Sequence, residues 1–328
     1  MNGRILIGMT LILGLIFIGV FWESERASGA AKITLVAAKV KNNPTGLDDP
    51  IWQKAEEIDI PLEGKAKFAE KKLIVRTRAL YTYEDIYFRF AWKDATRSVT
   101  KAAWQFDGQK WSHLEGNEDR LALLFEITRI KNFASQGCTA TCHGPYRHPL
   151  RDYKFSTGTA SQKGDLWHWK AARTAPYNHA DDQWLTIPDE QTGRRNDSGK
   201  GGDVRNETED KSKPLYMQDP TRKSSEPEFL LMGEAVKIAD YSGFKAGDVI
   251  PYRLPQNLIG SRGDIKAFSR HADDGWTLML YRPLDTDHED DVIFDSRKMY
   301  SFAVAVFDDS GDEDSYDIET TITLKFER

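Results

Sequence analysis

The sequence predicts an all-β protein, an antiparallel β-sandwich with long loops. Three observations lead there: short runs whose apolar residues recur at every second position, turn residues between those runs, and no repeated helical pattern separating them. The chain has 328 residues, 40% apolar and 29% charged, which is enough to bury a sizeable core and too apolar for disorder throughout. Lys and Arg total 45 against 51 Asp and Glu, a formal net charge of −6. A nucleic-acid partner is excluded on that balance, since such a protein would carry a basic footprint.

Residues 1–30 read as a signal peptide or a membrane anchor. Ile5–Trp22 is apolar apart from Thr10, at the margin between a signal core and a spanning helix, which needs about 20 residues. Ser28-Gly29-Ala30 offers small residues for cleavage, although Glu23, Glu25 and Arg26 lengthen the gap before it. Arg4 keeps the N-terminus cytoplasmic. Either reading exports residues 31–328 as one domain, periplasmic or on the extracytoplasmic face of the membrane, tethered by the N-terminal helix if it is uncleaved.

Along the exported part, Ile33–Val40 and Leu73–Leu80 are strand candidates. In Asp85–Trp92, Ile86, Phe88, Phe90 and Trp92 share one face, with Tyr87 and Arg89 on the other. Leu121–Ile127 follows, then Trp276, Leu278 and Leu280 alternating with Thr277, Met279 and Tyr281. Tyr300–Phe307 is almost continuously apolar and belongs at the centre of a sheet. Ile318–Phe326 alternates again. Turns such as Tyr83-Glu84-Asp85 and Asp308-Asp309-Ser310-Gly311 punctuate these runs; the acidic Asp308–Asp314 lacks EF-hand spacing and reads as a solvated hairpin turn. Residues 191–228 are rich in Gly, Ser, Lys and Asp and read as a polar surface excursion. Ile130–Trp184 reads as irregular, yet concentrates histidines and tryptophans, and functional residues collect on connections.

Cys138-Thr139-Ala140-Thr141-Cys142-His143 carries the chemistry. It is C-x3-C-H, one residue longer than the c-type haem attachment signature. Two thiols add across the haem vinyl groups, and the adjacent imidazole of His143 becomes the proximal iron ligand. A Cys138–Cys142 disulfide has no use for the histidine, and zinc needs further ligands at defined spacing. Export, two cysteines in all and the adjoining His143 together favour one covalently attached haem c. The distal ligand stays open between His168, in Trp167-His168-Trp169, and Met217, in an apolar island of the polar excursion. Trp167 and Trp169 could wall a haem edge. Asp181-Asp182 reads as a turn or a hydrogen-bonding cluster beside the propionates, and His113, His148, His271 and His288 as ordinary hydrogen-bonding histidines. No nucleophile elbow, phosphate loop or dinucleotide fingerprint is present.

Trp52-Gln53-Lys54-Ala55, Ile58–Leu62, Ala91–Thr96, Asp165–Arg173, Arg282–Thr286 and Phe302–Asp308 resemble blocks of the ethylbenzene-dehydrogenase-type haem domain. That family comprises the haem γ subunits of type II dimethyl-sulfoxide-reductase-like molybdenum enzymes and related single-haem cytochromes. The resemblance implies a sandwich related to family-9 carbohydrate-binding modules and extracellular cytochrome domains. It also implies molybdenum and iron–sulfur oxidoreductase subunits as redox partners. The best-known members hold a b-type haem between methionine and lysine. Here the C-x3-C-H segment occupies the methionine region, so that His143 would replace the methionine, and Asp308–Glu319 contains no lysine.

The expected function is single-electron transfer by a monohaem c-type cytochrome, not catalysis by this chain. The alternatives are a carbohydrate- or ligand-binding sandwich that makes no use of the Cys/His motif, and a five-coordinate haem protein acting on a small ligand.

Overall fold

A computed structural model describes residues 33–141, 155–189, 192–224, 228–311, 315–318 and 320–328, together with the backbone of 147–148 and 151–152. The segment expected to be a signal or anchor, residues 1–30, lies outside the described residues. Among the described residues no helix is long and apolar enough to cross a membrane.

Thirteen strands join in one hydrogen-bonded sheet. They are β1 Thr34–Lys39, β2 Ile58–Gly64, β3 Lys72–Tyr81, β4 Asp85–Lys93, β5 Arg120–Glu126, β6 Gly164–Lys170, β7 Asp181–Leu185, β8 Arg194–Asn196, β9 Lys266–Ala272, β10 Gly275–Pro283, β11 Tyr300–Phe307, β12 Tyr316–Asp317 and β13 Ile322–Phe326. Their order is β8-β7-β6-β5-β11-β12-β2-β3-β4-β10-β9, with β13 beside β11 and β1, and β1 beside β3.

This path folds into two facing layers, which makes the protein a β-sandwich. Alternation along β4 turns Phe88, Phe90 and Trp92 inward. The Phe88 ring lies 6.0 Å from Phe125 of β5, 5.8 Å from Trp167 of β6 and 6.1 Å from Phe302 of β11. Trp92 meets Trp169 at 6.2 Å across the same interior. Each of these rings is buried, worth about 1.5–3 kcal/mol per large apolar side chain.

The expected antiparallel pattern holds for the main sheet except at β1, which runs parallel to both β13 and β3. Period-two alternation shows that a segment is a strand and says nothing about its direction, so this exception was not visible in sequence.

Two regions depart further from the sequence reading. Within the supposedly irregular Ile130–Trp184 stretch, β6 and β7 occupy the middle of a layer, β6 between β5 and β7. All seven residues of β6 are buried, so both faces are covered and no apolar–polar alternation marks it.

The described residues of 191–228, the stretch read as a polar surface excursion, include two strands besides β8. Lys200–Arg205 pairs with Arg253–Ile259, and Tyr216–Gln218 pairs with Ala235–Lys237. Tyr216 and Met217 pack on a second apolar cluster formed by Trp104, Leu230, Ile238, Ile250 and Leu254. Buried Asn206 organises this cluster. Its amide donates to the carbonyls of Tyr216 (2.9 Å) and Pro251 (3.0 Å), and its side-chain oxygen accepts from the amides of Leu215 (2.9 Å) and Tyr216 (2.8 Å).

Candidate functional site

The site is built on the outer face of the β5–β6–β11 region. Along β6, Trp167 and Trp169 point into the sandwich, so Leu166, His168 and Lys170 point out. The register sets His168 between Ala122 of β5 and Asp181 of β7, and Ala122 opposite Ala305 of β11. The neighbouring outer row is Lys170, Arg120 and Phe307; the row on the other side is Leu166, Leu124 and Ala303. His168 therefore stands on a floor of small side chains, with the Phe307 ring 6.0 Å away and the Arg120 guanidinium 4.2 Å over that ring.

His168 is buried, and neither ring nitrogen has a hydrogen-bond partner among the described residues. Leaving such a group unsatisfied costs about 1–3 kcal/mol. Burial, and then the charges of Lys170, Arg120, Arg194 and Arg173, hold the imidazole well below its ordinary pKa. It is thus neutral and keeps a lone pair, the form that ligates a metal. A neutral imidazole is a donor that suits haem iron; Ala122 and Ala305 stand in its own row, between rows that carry Leu124, Leu166 and Phe307.

The cations around it are themselves held in place. Lys170 hydrogen-bonds Asp181, which also accepts from Arg262 at 2.7 Å and 3.2 Å. Burial would raise the Asp181 carboxyl, but Lys170 and Arg262 outweigh it and hold Asp181 at about 2. Burial lowers Lys170 to about 8 against the pull of Asp181. Asp181 and Asp182, read from sequence as a turn or propionate-side pair, are instead consecutive strand residues on opposite faces. Asp181 faces Lys170, whereas Asp182 faces the interior and Arg282.

Cys138 is buried in the Gly137–Ala140 turn, within the main apolar cluster, and this turn packs beside β11. Gly137 has φ +51°, and a Cβ there would fall 2.3 Å from the Thr320 carbonyl oxygen and 2.6 Å from that of Ile318. Only glycine lets the turn approach so closely. Cys142 and His143 lie outside the described residues. The chain on either side of them is fixed: the Thr141 carbonyl accepts from the Ser156 amide at 3.1 Å, and the Arg194 guanidinium lies 4.7 Å over the Phe155 ring. Both ends of the segment bearing Cys142 and His143 are thus anchored beside the layer that carries His168.

The remaining candidates separate. Met217 belongs to the second apolar cluster around Trp104, not to the main cluster that holds Cys138. Trp167 and Trp169, expected as a haem wall beside His168, fill the sandwich interior on the opposite face of β6. The Trp-His-Trp order in a strand makes this unavoidable, because neighbours alternate sides. His113 Nδ1 donates to the Ala102 carbonyl, His271 Nε2 to that of Asp94, and His288 Nδ1 to the Asp264 side-chain oxygen. The sequence reading missed the cationic set Arg120, Lys170, Arg173 and Arg194, which is scattered over 75 positions and converges only through strand register. Among the described residues, the exposed aromatic rings are Tyr83 and Phe268, on separate turns and strands, and no tryptophan is exposed.

Residues 49–318 match the family model described as ethylbenzene dehydrogenase. No curated protein matches the chain. Among solved structures, a protein described as carbohydrate-binding from Bacteroides uniformis is similar with a TM-score of 0.38 and 11% identity, over 90% of this chain and 100% of that one. A family-9 carbohydrate-binding module from Caldicellulosiruptor kristjanssonii, solved in complex with glucose, is similar with a TM-score of 0.36 and 9% identity, over 90% of this chain and 95% of that one.

Proposed function

The chain belongs to the ethylbenzene dehydrogenase family, and on that premise we propose that it is an exported monohaem c-type cytochrome that relays single electrons. One observation carries the reading: a neutral, unpartnered His168 stands on a small-residue floor, beside the anchored ends of the segment that bears Cys142 and His143.

When bound, the haem supplies reversible one-electron chemistry at iron. The chain's own residues do the rest. Cys138 and Cys142 would hold the porphyrin through thioethers, and His143 and His168 would ligate its iron. Arg120, Lys170, Arg173 and Arg194 place positive charge around the site, which favours the reduced state and suits the propionates. With His143 and His168 both holding the iron, the group would supply electron transfer rather than substrate binding. The family supports a place beside a molybdenum oxidoreductase, as its haem subunit or its redox partner. An aromatic sugar platform finds no support in the buried tryptophans.

The test is intact mass and a pyridine-haemochrome spectrum on protein matured in cells with cytochrome c biogenesis machinery. One haem added to the polypeptide mass, with both vinyl groups saturated, is the expected result. Bare polypeptide mass would overturn the proposal.

A further inference from the structure

We propose that Asp165, Asp182 and Asp291, with Asp197 beside them, bind one divalent cation of the calcium type inside the sandwich, independently of any haem. Asp165 comes from β6, Asp182 from β7, and Asp291 from the loop after β10. One oxygen from each lies within 4.8 Å of the others. Two oxygens across a single calcium ion, each at about 2.3–2.6 Å, stand about 4.6–5.2 Å apart.

Arg282 is the obvious counter-charge, and it does not suffice. Its guanidinium lies 2.9 Å from Asp165 Oδ2, 3.3 Å from Asp182 Oδ2 and 2.7 Å from Asp291 Oδ1, and also donates to the Val292 carbonyl. One positive charge therefore faces three carboxyl groups, with the buried Asp197 beside them. Asp182 Oδ1 and both oxygens of Asp197 receive no hydrogen bond from the described residues. Asp165 and Asp182 are fully buried, and Asp197 is 4% exposed.

Asp197 is a separate sign of a missing cation. It is not one of the carboxylates that Arg282 gathers, yet its backbone amide donates to the Asp182 carbonyl at 3.2 Å. Unpaired buried carboxylates cost several kcal/mol each. A proton can neutralise one of them but leaves the neighbouring oxygens without donors, whereas a doubly charged ion serves several at once. The donors are all hard oxygens, which selects calcium over zinc. Asp264 and His288, both partly exposed, bring ligand atoms within 4.8 Å of Asp291 on the acidic loop.

The experiment uses the mature full chain, stripped with a chelator and then equilibrated with radioactive calcium, with thermal unfolding followed by far-ultraviolet circular dichroism. The expected result is one calcium per chain, a lower unfolding midpoint after chelation, and recovery on adding calcium. Asp182→Asn should weaken calcium affinity ten-fold or more. Asp197→Asn, which removes no ion pair with Arg282, should weaken it while keeping the wild-type spectrum. No calcium retained at about 1 mM, the weak end for extracellular modules, would overturn the proposal. So would unchanged affinity in Asp197→Asn, whether or not Asp182→Asn folds.

Discussion

The guanidinium of Arg282 lies 4.8 Å over the Trp167 ring, so the most buried cation of the sandwich rests on one of its largest core side chains. The same guanidinium pairs with Asp165, Asp182 and Asp291. Replacing Arg282 by Met keeps volume and apolar contact but leaves three buried carboxyls without their cation. Removing one partner of a buried ion pair costs about 3–5 kcal/mol, so Arg282→Met should lower the unfolding free energy by at least that much in urea titrations. A loss under about 1 kcal/mol would mean that these carboxyls carry no net charge in the fold.

The Asp197 carboxyl gives a pH dependence with a definite sign. Its folded value near 9 stands above the ordinary 3.8, so between these values the folded protein binds more protons than the unfolded chain. Its contribution is complete below 3.8 and is lost as pH rises through about 9. In chelator, the unfolding midpoint should fall from about pH 6 to about pH 9, and Asp197→Asn should flatten that slope. Asp181 acts in the opposite sense, since its folded value near 2 lies below 3.8. Its contribution is present above 3.8 and disappears as pH drops through about 2. A wild-type midpoint that rises toward pH 9 would contradict the assignment for Asp197.

What the residues reveal unaided differs sharply from element to element. β4 shows its role openly, because Phe88, Phe90 and Trp92 alternate with residues on the other face. β6 hides its role, because a cover on both faces removes the polar half of the pattern. The cationic setting of His168 was not visible in sequence, since Arg120, Lys170, Arg173 and Arg194 meet through pairing register and tertiary packing. Arg282 and Asp165 stood in two of the blocks that resemble the family, but only the fold shows that they touch. Composition misjudged residues 191–228, because Asn206 stabilises that lobe by backbone hydrogen bonds more than by apolar bulk.

Asn206 makes this lobe separately breakable. Asn206→Ala would leave the Leu215 and Tyr216 amides and the Tyr216 and Pro251 carbonyls without that partner. Each buried group left unsatisfied costs about 1–3 kcal/mol. Hydrogen exchange should show faster exchange across 206–218 while β4, β5 and β11 keep their protection. Equal loss of protection in both regions would show that the lobe and the sandwich open as one unit.

The two candidate distal ligands respond to opposite structural facts, so one pair of variants separates them. His168 is buried, with no hydrogen-bond partner for its ring among the described residues. Met217 packs in the other apolar cluster, where its loss empties part of the Trp104 environment. His168→Ala should convert the low-spin haem spectrum to high spin and let carbon monoxide bind at once to the reduced protein. Met217→Ala should leave the spectrum unchanged and cost about 2–4 kcal/mol of stability at most, as a partly buried methionine. A spectral change in Met217→Ala alone would remove His168 from the iron. If neither variant changes spin state, neither His168 nor Met217 is a ligand of the proposed haem.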